Sequence, residues 1–263
     1  MYKSLKRFSV FFTSFFIFCI HLPFVFAKTI SANKESSVKP ASVASTSTYP
    51  VAAGLPGSEK VSVFDSLHLN TLGLTRQAYE YAIRGFQTLL SMGKLNNDSV
   101  ISIADFSLSS AQKRLYVIDI KNYRLLFNTY VAHGRNSGAE FAKRFSNSLS
   151  SNESSLGFYV TGDTYSGEHG YSLRLEGEEK GINDNAFKRA IVMHCADYAS
   201  EGFIKLKGYL GRSLGCPAIP EKVYKPIIDQ IKEGSCLFLY SPNRYYLSHS
   251  TFLKNADDVV DAS

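Results

Sequence analysis

What this sequence lacks bounds it first. Past residue 26, no stretch is apolar enough to cross a bilayer, which sets aside a multi-spanning membrane protein. No run of Lys and Arg with interleaved aromatics occurs, so a nucleic-acid role has no footing. A metallopeptidase reading through His133, Asp163, Asp197 and His194 lacks the His-x-x-Glu-His helix spacing that such sites use, and no metal site is expected. No internal repeat is visible. Tryptophan is absent, and the 263 residues hold only four cysteines.

The charge balance is mildly basic, 29 Lys and Arg against 23 Asp and Glu, net +6. Lys3, Lys6 and Arg7 lie in the first 27 residues, which hold no acid, so without that segment the excess is +3. Such a surface suits an anionic polymer such as cell wall. The same segment reads as a secretion signal over residues 1–27. A basic start is followed by a Phe-rich apolar run over residues 8–26 and the small-residue exit Val25-Phe26-Ala27. Ser14, His21 and Pro23 interrupt the run and argue against a retained span. The expected destination is across the inner membrane, in a periplasm, with no stable membrane insertion after cleavage. Cys19 leaves with the signal. Cys195, Cys216 and Cys236 remain, an odd number for an oxidising compartment. Cys195 and Cys236 either pair, leaving Cys216 free, or are two small buried residues.

Along the chain, residues 28–60 are rich in Ser, Ala, Thr, Val and Pro without any period and read as a disordered linker. Residues 61–97 read as a small helical extension. A short helix is expected over 61–69, then a longer one capped by Thr75 with Ala78, Tyr79, Ala82, Ile83, Phe86, Leu89 and Leu90 at helical spacing. Residues 98–241 read as a strand-rich domain. Strands are expected over 100–108, 114–120, 124–132, 156–161, 171–175, 190–196 and 235–240, with a Gly-rich turn over 162–170 and an amphipathic helix over 221–233. Residues 242–263 read as a frayed tail. The fold class expected is mainly β with a few helices.

The chemistry concentrates in Gly211-Arg212-Ser213-Leu214-Gly215-Cys216-Pro217, with His194 on a hydrophobic strand 22 residues before Cys216. A cysteine attacks carbonyls as its thiolate and so needs a base or cation nearby. The glycine before it permits a tight path that can aim N–H groups at an oxyanion. Alternation puts His194 on the opposite face from Met193 and Cys195.

His194 followed by Ser213-Leu214-Gly215-Cys216 resembles the His…Ser-x-Gly-Cys signature of the murein L,D-transpeptidase catalytic domain family, of YkuD-like fold. The segments Tyr130-Val131-Ala132-His133-Gly134, Phe145-Ser146-Asn147 and Ser154-Ser155-Leu156-Gly157-Phe158-Tyr159 add to the likeness, which covers about residues 100–240. The resemblance implies a β-sandwich-like domain with a cleft. It also implies an enzyme that attacks the bond between an L- and a D-centre in a peptidoglycan stem peptide, releases terminal D-alanine, holds the stem as a thioester and passes it to an amine. Cys216 would be the nucleophile, His194 the base and Ser213 the residue orienting the imidazole through its carbonyl. Leu214, Gly215 and Cys216 would supply the oxyanion hole, with no cofactor. His133, Gly134, Arg212, Arg174 and Tyr171 are the expected substrate-binding residues. Asp163, Tyr165 and Asp197 are polar residues near strand ends that fit either stem binding or solvated turns. Three positions depart from the common pattern: Leu214 where a second histidine is usual, Ala218 where an arginine is usual, and Cys195 where glycine often follows the base. With those two groups missing, a hydrolase using the same thioester and a non-catalytic wall-binding protein stay open beside the transferase.

Overall fold

The structure, a computed structural model, describes residues 61–254. The expected signal, the linker and residues 255–263 lie outside them. Eight strands form where the sequence alternates or runs apolar: β1 (Val100–Asp105), β2 (Leu115–Asp119), β3 (Arg124–Thr129), β4 (Gly157–Gly167), β5 (Gly170–Gly177), β6 (Val192–Cys195), β7 (Ala218–Ile219) and β8 (Cys236–Tyr240). They join in the order β3-β2-β1-β8-β4-β5-β6-β7. The β1–β8 and β6–β7 pairs are parallel and the others antiparallel. β1 and β8 are buried along their whole length, which is why β8 reads as an unbroken apolar run and β1 as one broken only by Ser102 and Asp105.

β3 and β7 end the strand order, yet the chain leaving β3 reaches β7. Ala132 N–H donates to Ala218 O at 2.8 Å, Ala218 N–H returns to Ala132 O at 3.3 Å, and Gly134 bridges Ser213. The sheet therefore curls until its two ends are tied, and the layers of the expected sandwich are one continuous ladder. This mainly β architecture with a few helices is the expected class.

The helices are α1 (Val63–Ser66), α2 (Arg76–Ser91), α3 (Glu201–Lys207), α4 (Tyr224–Ile231) and α5 (Arg244–His249). Thr75 caps α2, its Oγ1 accepting from Ala78 N–H at 3.2 Å. The stripe Ala78, Tyr79, Ala82, Phe86 and Leu89 is buried in one core with Ile101, Ile103 and Phe238. Residues 61–97 thus complete the core of the β domain instead of extending from it. Three local expectations are corrected. The stretch over 162–170 is not a broad turn, because β4 runs on to Gly167 through a bulge and only Glu168 and His169 turn the chain. α3 was not expected: its span carries a weak apolar pattern and buries no residue. Residues 242–254 are not frayed. Asn243 caps α5, Tyr246 OH donates to the buried Glu179 carboxylate at 3.0 Å, and Phe252 and Leu253 join the core.

Phe158 shows how tightly this core is filled. Its ring stacks on Phe238 at 4.1 Å and on Phe252 at 5.6 Å, and it fills the space over Gly85 of α2. A Cβ at Gly85 would lie 2.0 Å from Phe158 Cζ, and the stacked rings leave Phe158 nowhere to retreat. Gly85→Ala is therefore expected to destabilise the protein by about 2 kcal/mol, although alanine is the better helix former by roughly 1 kcal/mol. Denaturant unfolding checks this, and a stabilised variant would contradict the packing.

Candidate active site

The site is set by register. β6 runs parallel to β7 with His194 opposite Ala218 and Cys195 opposite Ile219. Cys216 lies in the bend two residues before Ala218 and reaches β6 through its sulfur: Val192 N–H points at Cys216 Sγ, 3.5 Å away. Val192 shares a face with His194. Met193, on the opposite face, is buried in the core. Across β6, the antiparallel pairing with β5 sets Arg174 opposite Val192. One face therefore carries Arg174 and Val192 in one row, with His194 and Ala218 in the next, and the Cys216 sulfur abuts the Val192 row.

The turn before Cys216 is fastened from three directions. Ser213 Oγ donates to Cys216 O at 2.6 Å and accepts from Gly215 N–H at 3.0 Å. Ser213 N–H donates to His133 O at 3.0 Å, and Arg135 N–H donates to Ser213 O at 2.8 Å. Ser154 Oγ donates to Gly215 O at 3.0 Å. Gly215 has φ 128°, and a Cβ there would approach Glu153 O to 2.9 Å, so the turn needs glycine. Among the described residues, nothing accepts from the N–H groups of Leu214 and Cys216. These two donors are open to a ligand. Gly215 N–H, expected in the oxyanion hole, is committed to Ser213.

His194 is buried, and its Nδ1 lies 2.8 Å from Cys195 O. A carbonyl only accepts, so Nδ1 carries the hydrogen and Nε2 is left with its lone pair, the tautomer a general base needs. Burial pulls His194 below the ordinary imidazole value; the Cys195 carbonyl opposes this and His169 adds to it. Burial likewise pushes the Cys216 thiol up, against the Val192 N–H and the charge of Arg189, which pull it down. The sulfur accepts from Val192 N–H and donates toward Ala190 O at 3.7 Å. Ala190 holds φ at 52°, a left-handed backbone costing an alanine roughly 1–2 kcal/mol. The resting pair is thus a neutral thiol at Cys216 and a neutral imidazole at His194. The sulfur is parked on backbone groups and not yet hydrogen-bonded to the base.

The sequence model of the L,D-transpeptidase catalytic domain matches residues 70–240. The chain belongs to the L,D-transpeptidase catalytic domain family. Solved structures similar to it include an L,D-transpeptidase from Mycobacterium smegmatis, 12% identical, TM-score 0.34, covering 54% of this chain and 59% of that one. Another is the helical cell shape determining protein Pgp2 from Campylobacter jejuni, 12% identical, TM-score 0.36, covering 56% and 49%. A third is an L,D-transpeptidase from Stackebrandtia nassauensis, 11% identical, TM-score 0.33, covering 56% and 57%. The chain thus spans between 49% and 59% of the length of these relatives. A search of the curated proteins found no match.

Within this family frame, the structure brings some expected residues to the site and takes others away. Ser213 does not orient the imidazole, because its carbonyl is taken by Arg135 N–H and its hydroxyl staples the turn; Cys195 O holds His194 instead. His133 does not face a cleft. Fully buried, it accepts at Nδ1 from Arg114 at 2.8 Å and donates from Nε2 to Gly138 O at 3.3 Å. Burial and the Arg114 charge pull it down to about 3, so it stays neutral. Gly134 is buried too, with Asn152 O 2.6 Å from where its Cβ would be. Tyr171 lies on the face opposite His194 and donates its hydroxyl to Asp229 at 2.7 Å. Arg174 is exposed on the site face, its guanidinium 4.7 Å over the Tyr165 ring. Arg212 lines a cleft of about 600 Å³ with Arg135, Lys207, Tyr198, Tyr209 and Asp197. Cys195, Cys216 and Cys236 are all free, and two strands separate those that carry Cys195 and Cys236, which settles the disulfide question. Among the described residues, no three His, Cys, Asp or Glu side chains converge as metal ligands, and no helix is long and apolar enough to cross a membrane.

Sequence reasoning missed Arg189. Its guanidinium donates to Ser146 O at 2.7 Å, Glu153 O at 2.5 Å, Ser151 Oγ at 3.1 Å and Ser155 Oγ. It also lies 3.2 Å from the Cβ position of Gly215, directly behind the turn. No local signal marks it, since it precedes β6 in an irregular segment.

The protonation states carry a prediction. Alkylation of Cys216 by iodoacetamide, followed on its own peptide by mass, is expected to titrate with a midpoint above the ordinary thiol value of 9.0. The His194 pKa lies below the ordinary imidazole value of 6.5, so the acid limb of kcat/KM is expected below pH 6.5. A preformed thiolate–imidazolium pair would give fast alkylation at neutral pH and would contradict this resting state.

Proposed function

We propose that this protein is an exported cysteine acyltransferase acting on peptidoglycan stem peptides, an L,D-transpeptidase that needs no metal or organic cofactor. The observation that supports it is the Cys216 sulfur held against β6 at Val192, two residues from His194, with two uncommitted N–H groups in the turn that carries it. The Cys216 sulfhydryl gives its proton to His194 Nε2 as sulfur attacks the carbonyl joining the L-centre to the terminal D-residue. The N–H groups of Leu214 and Cys216 take the oxyanion. The imidazolium returns the proton to the leaving amine, D-alanine departs, and the stem remains as a thioester. A second amine then attacks the thioester, His194 removing its proton, and the thiol is restored. The nearest cation to the sulfur while it carries charge is Arg189.

Stem peptides carry carboxylates, and the site offers cations on two sides. Arg174 stands in the row of Val192, which the Cys216 sulfur abuts. Arg135, Lys207 and Arg212 line the cleft that adjoins the nucleophile turn, and none of them is in an ion pair among the described residues. These cations replace the arginine missing at Ala218. The N-terminal signal pattern places the reaction outside the inner membrane.

The test is incubation of the protein lacking residues 1–27 with a diaminopimelate tetrapeptide stem, beside Cys216→Ala, with products read by mass. Crosslinked dimers and free D-alanine are expected from the wild type, with at least a 10³-fold loss in the variant, since a lost nucleophile can cost about 10⁶. Tripeptide alone would make water the acceptor. Equal turnover in the variant would sink the assignment.

A further inference from the structure

Two of the departures from the family pattern meet at one place. Where a second histidine is usual the chain has Leu214, whose side chain is 62% exposed and touches no base. An imidazole nevertheless lies on His194. His169, at the tip of the β4–β5 hairpin, stacks on the His194 ring with centroids 4.4 Å apart and planes 21° apart. The hairpin tip is also tethered. Cys195 Sγ donates toward His169 O at 3.6 Å, while Cys195 O accepts from His194 Nδ1 at 2.8 Å. A single residue, standing where glycine would leave no side chain, thus touches both the base and the residue that covers it.

We propose that His169 is a positioning residue for His194, delivered by the β4–β5 hairpin and tethered by the Cys195 thiol. Its ring fixes the plane of the base while the Cys195 carbonyl fixes its tautomer, so that Nε2 stays free for Cys216. The proposal rests on reading His194 and Cys216 as base and nucleophile. The His169 ring also opposes protonation of His194, because two positive rings in face contact repel. The titratable and charged groups around His194 are His169 on the hairpin, Cys216 on the turn and Cys195 on its own strand. Glu221 and Lys225 act on the thiol of Cys195 in opposite senses. Burial first, and Glu221 after it, push that thiol up, which keeps it protonated and able to donate.

His169 is exposed at a hairpin tip, so His169→Ala and His169→Phe both should fold. Phe keeps an aromatic face and removes the proton. In the Cys216→Ser protein, ¹⁵N NMR of His194 is expected to show the single Nδ1–H tautomer. His169→Ala is expected to give a mixture, and His169→Phe to keep the single form. In active protein, His169→Ala is expected to lower kcat about tenfold with KM within about twofold, while Phe retains kcat within about threefold. The acid limb is expected to move to higher pH in both, because the opposing charge is gone. Cys195→Ala is expected to give a tautomer mixture as well. An unchanged tautomer and an unchanged acid limb in both His169 variants would overturn the proposal. The NMR readout does not require turnover, so it separates failure of this inference from failure of the transpeptidase reading.

Discussion

Everything at this site hangs on the short parallel pairing of β6 with β7. It is only two residues long, yet it decides which side chains share a face. A slip of one residue would carry the Cys216 sulfur away from Val192 N–H. That slip is blocked from outside the pair. Ala218 is bridged on its free side by Ala132, and Ser213 by Gly134, so β7 and the turn that carries Cys216 are pinned between β6 and the chain that leaves β3. The closure of the sheet and the alignment of the catalytic groups are thus the same set of hydrogen bonds.

The buried polar residues beneath the site serve that alignment. Arg114 is wholly buried. It donates through Nε and Nη2 to Val131 O at 3.1 and 3.0 Å, and through Nη1 to Leu108 O at 2.7 Å. Its remaining bond to His133 holds the residue whose carbonyl receives Ser213 N–H. Burial pulls Arg114 down to about 9, which still leaves it charged at neutral pH, with Asp105 close enough to support the charge. On the opposite side, Arg189 gathers residues 146–155 and presses them behind Gly215. Two guanidiniums, one on each side, therefore fix a turn whose own residues hold almost no hydrophobic surface. A burial energy from the turn itself would not suffice to order it.

Much of this was legible before any coordinates. Strand and helix positions followed from period and caps: Thr75 does cap α2, and a strand does form around His194, though as β6 it spans only Val192–Cys195 of the expected 190–196. The nucleophile motif was legible because its chemistry requires glycine and a thiol side by side. What sequence could not give was partner identity. His133 beside a glycine at a strand end looks like a cleft residue, and only three dimensions show Arg114 holding it in the core. Tyr171 and Arg174 are three residues apart on one strand, so alternation alone puts them on opposite faces, but which face bears the site depends on the β5–β6 register. α5 was missed because its one buried residue, Tyr246, finds its hydrogen-bond partner at Glu179, far away in sequence.

The neutral resting pair has a consequence for how the enzyme would discriminate. A standing thiolate reacts with any soft electrophile that reaches it. Here burial keeps the sulfur a thiol, parked between Val192 N–H and Ala190 O, and it must leave both to reach Nε2. The hydrogen bonds lost in that move are modest, of the order of 1 kcal/mol each, so they delay attack without forbidding it. They are repaid only when a carbonyl sits where the Leu214 and Cys216 N–H groups can take its developing charge. Proton transfer and oxyanion capture then occur together, and a ligand that cannot supply that carbonyl leaves the thiol parked. The three departures fit this scheme. Ala218 frees the β7 row of a competing cation, Leu214 leaves the hole to backbone donors alone, and Cys195 gives the base its orientation through a carbonyl and a tethered imidazole.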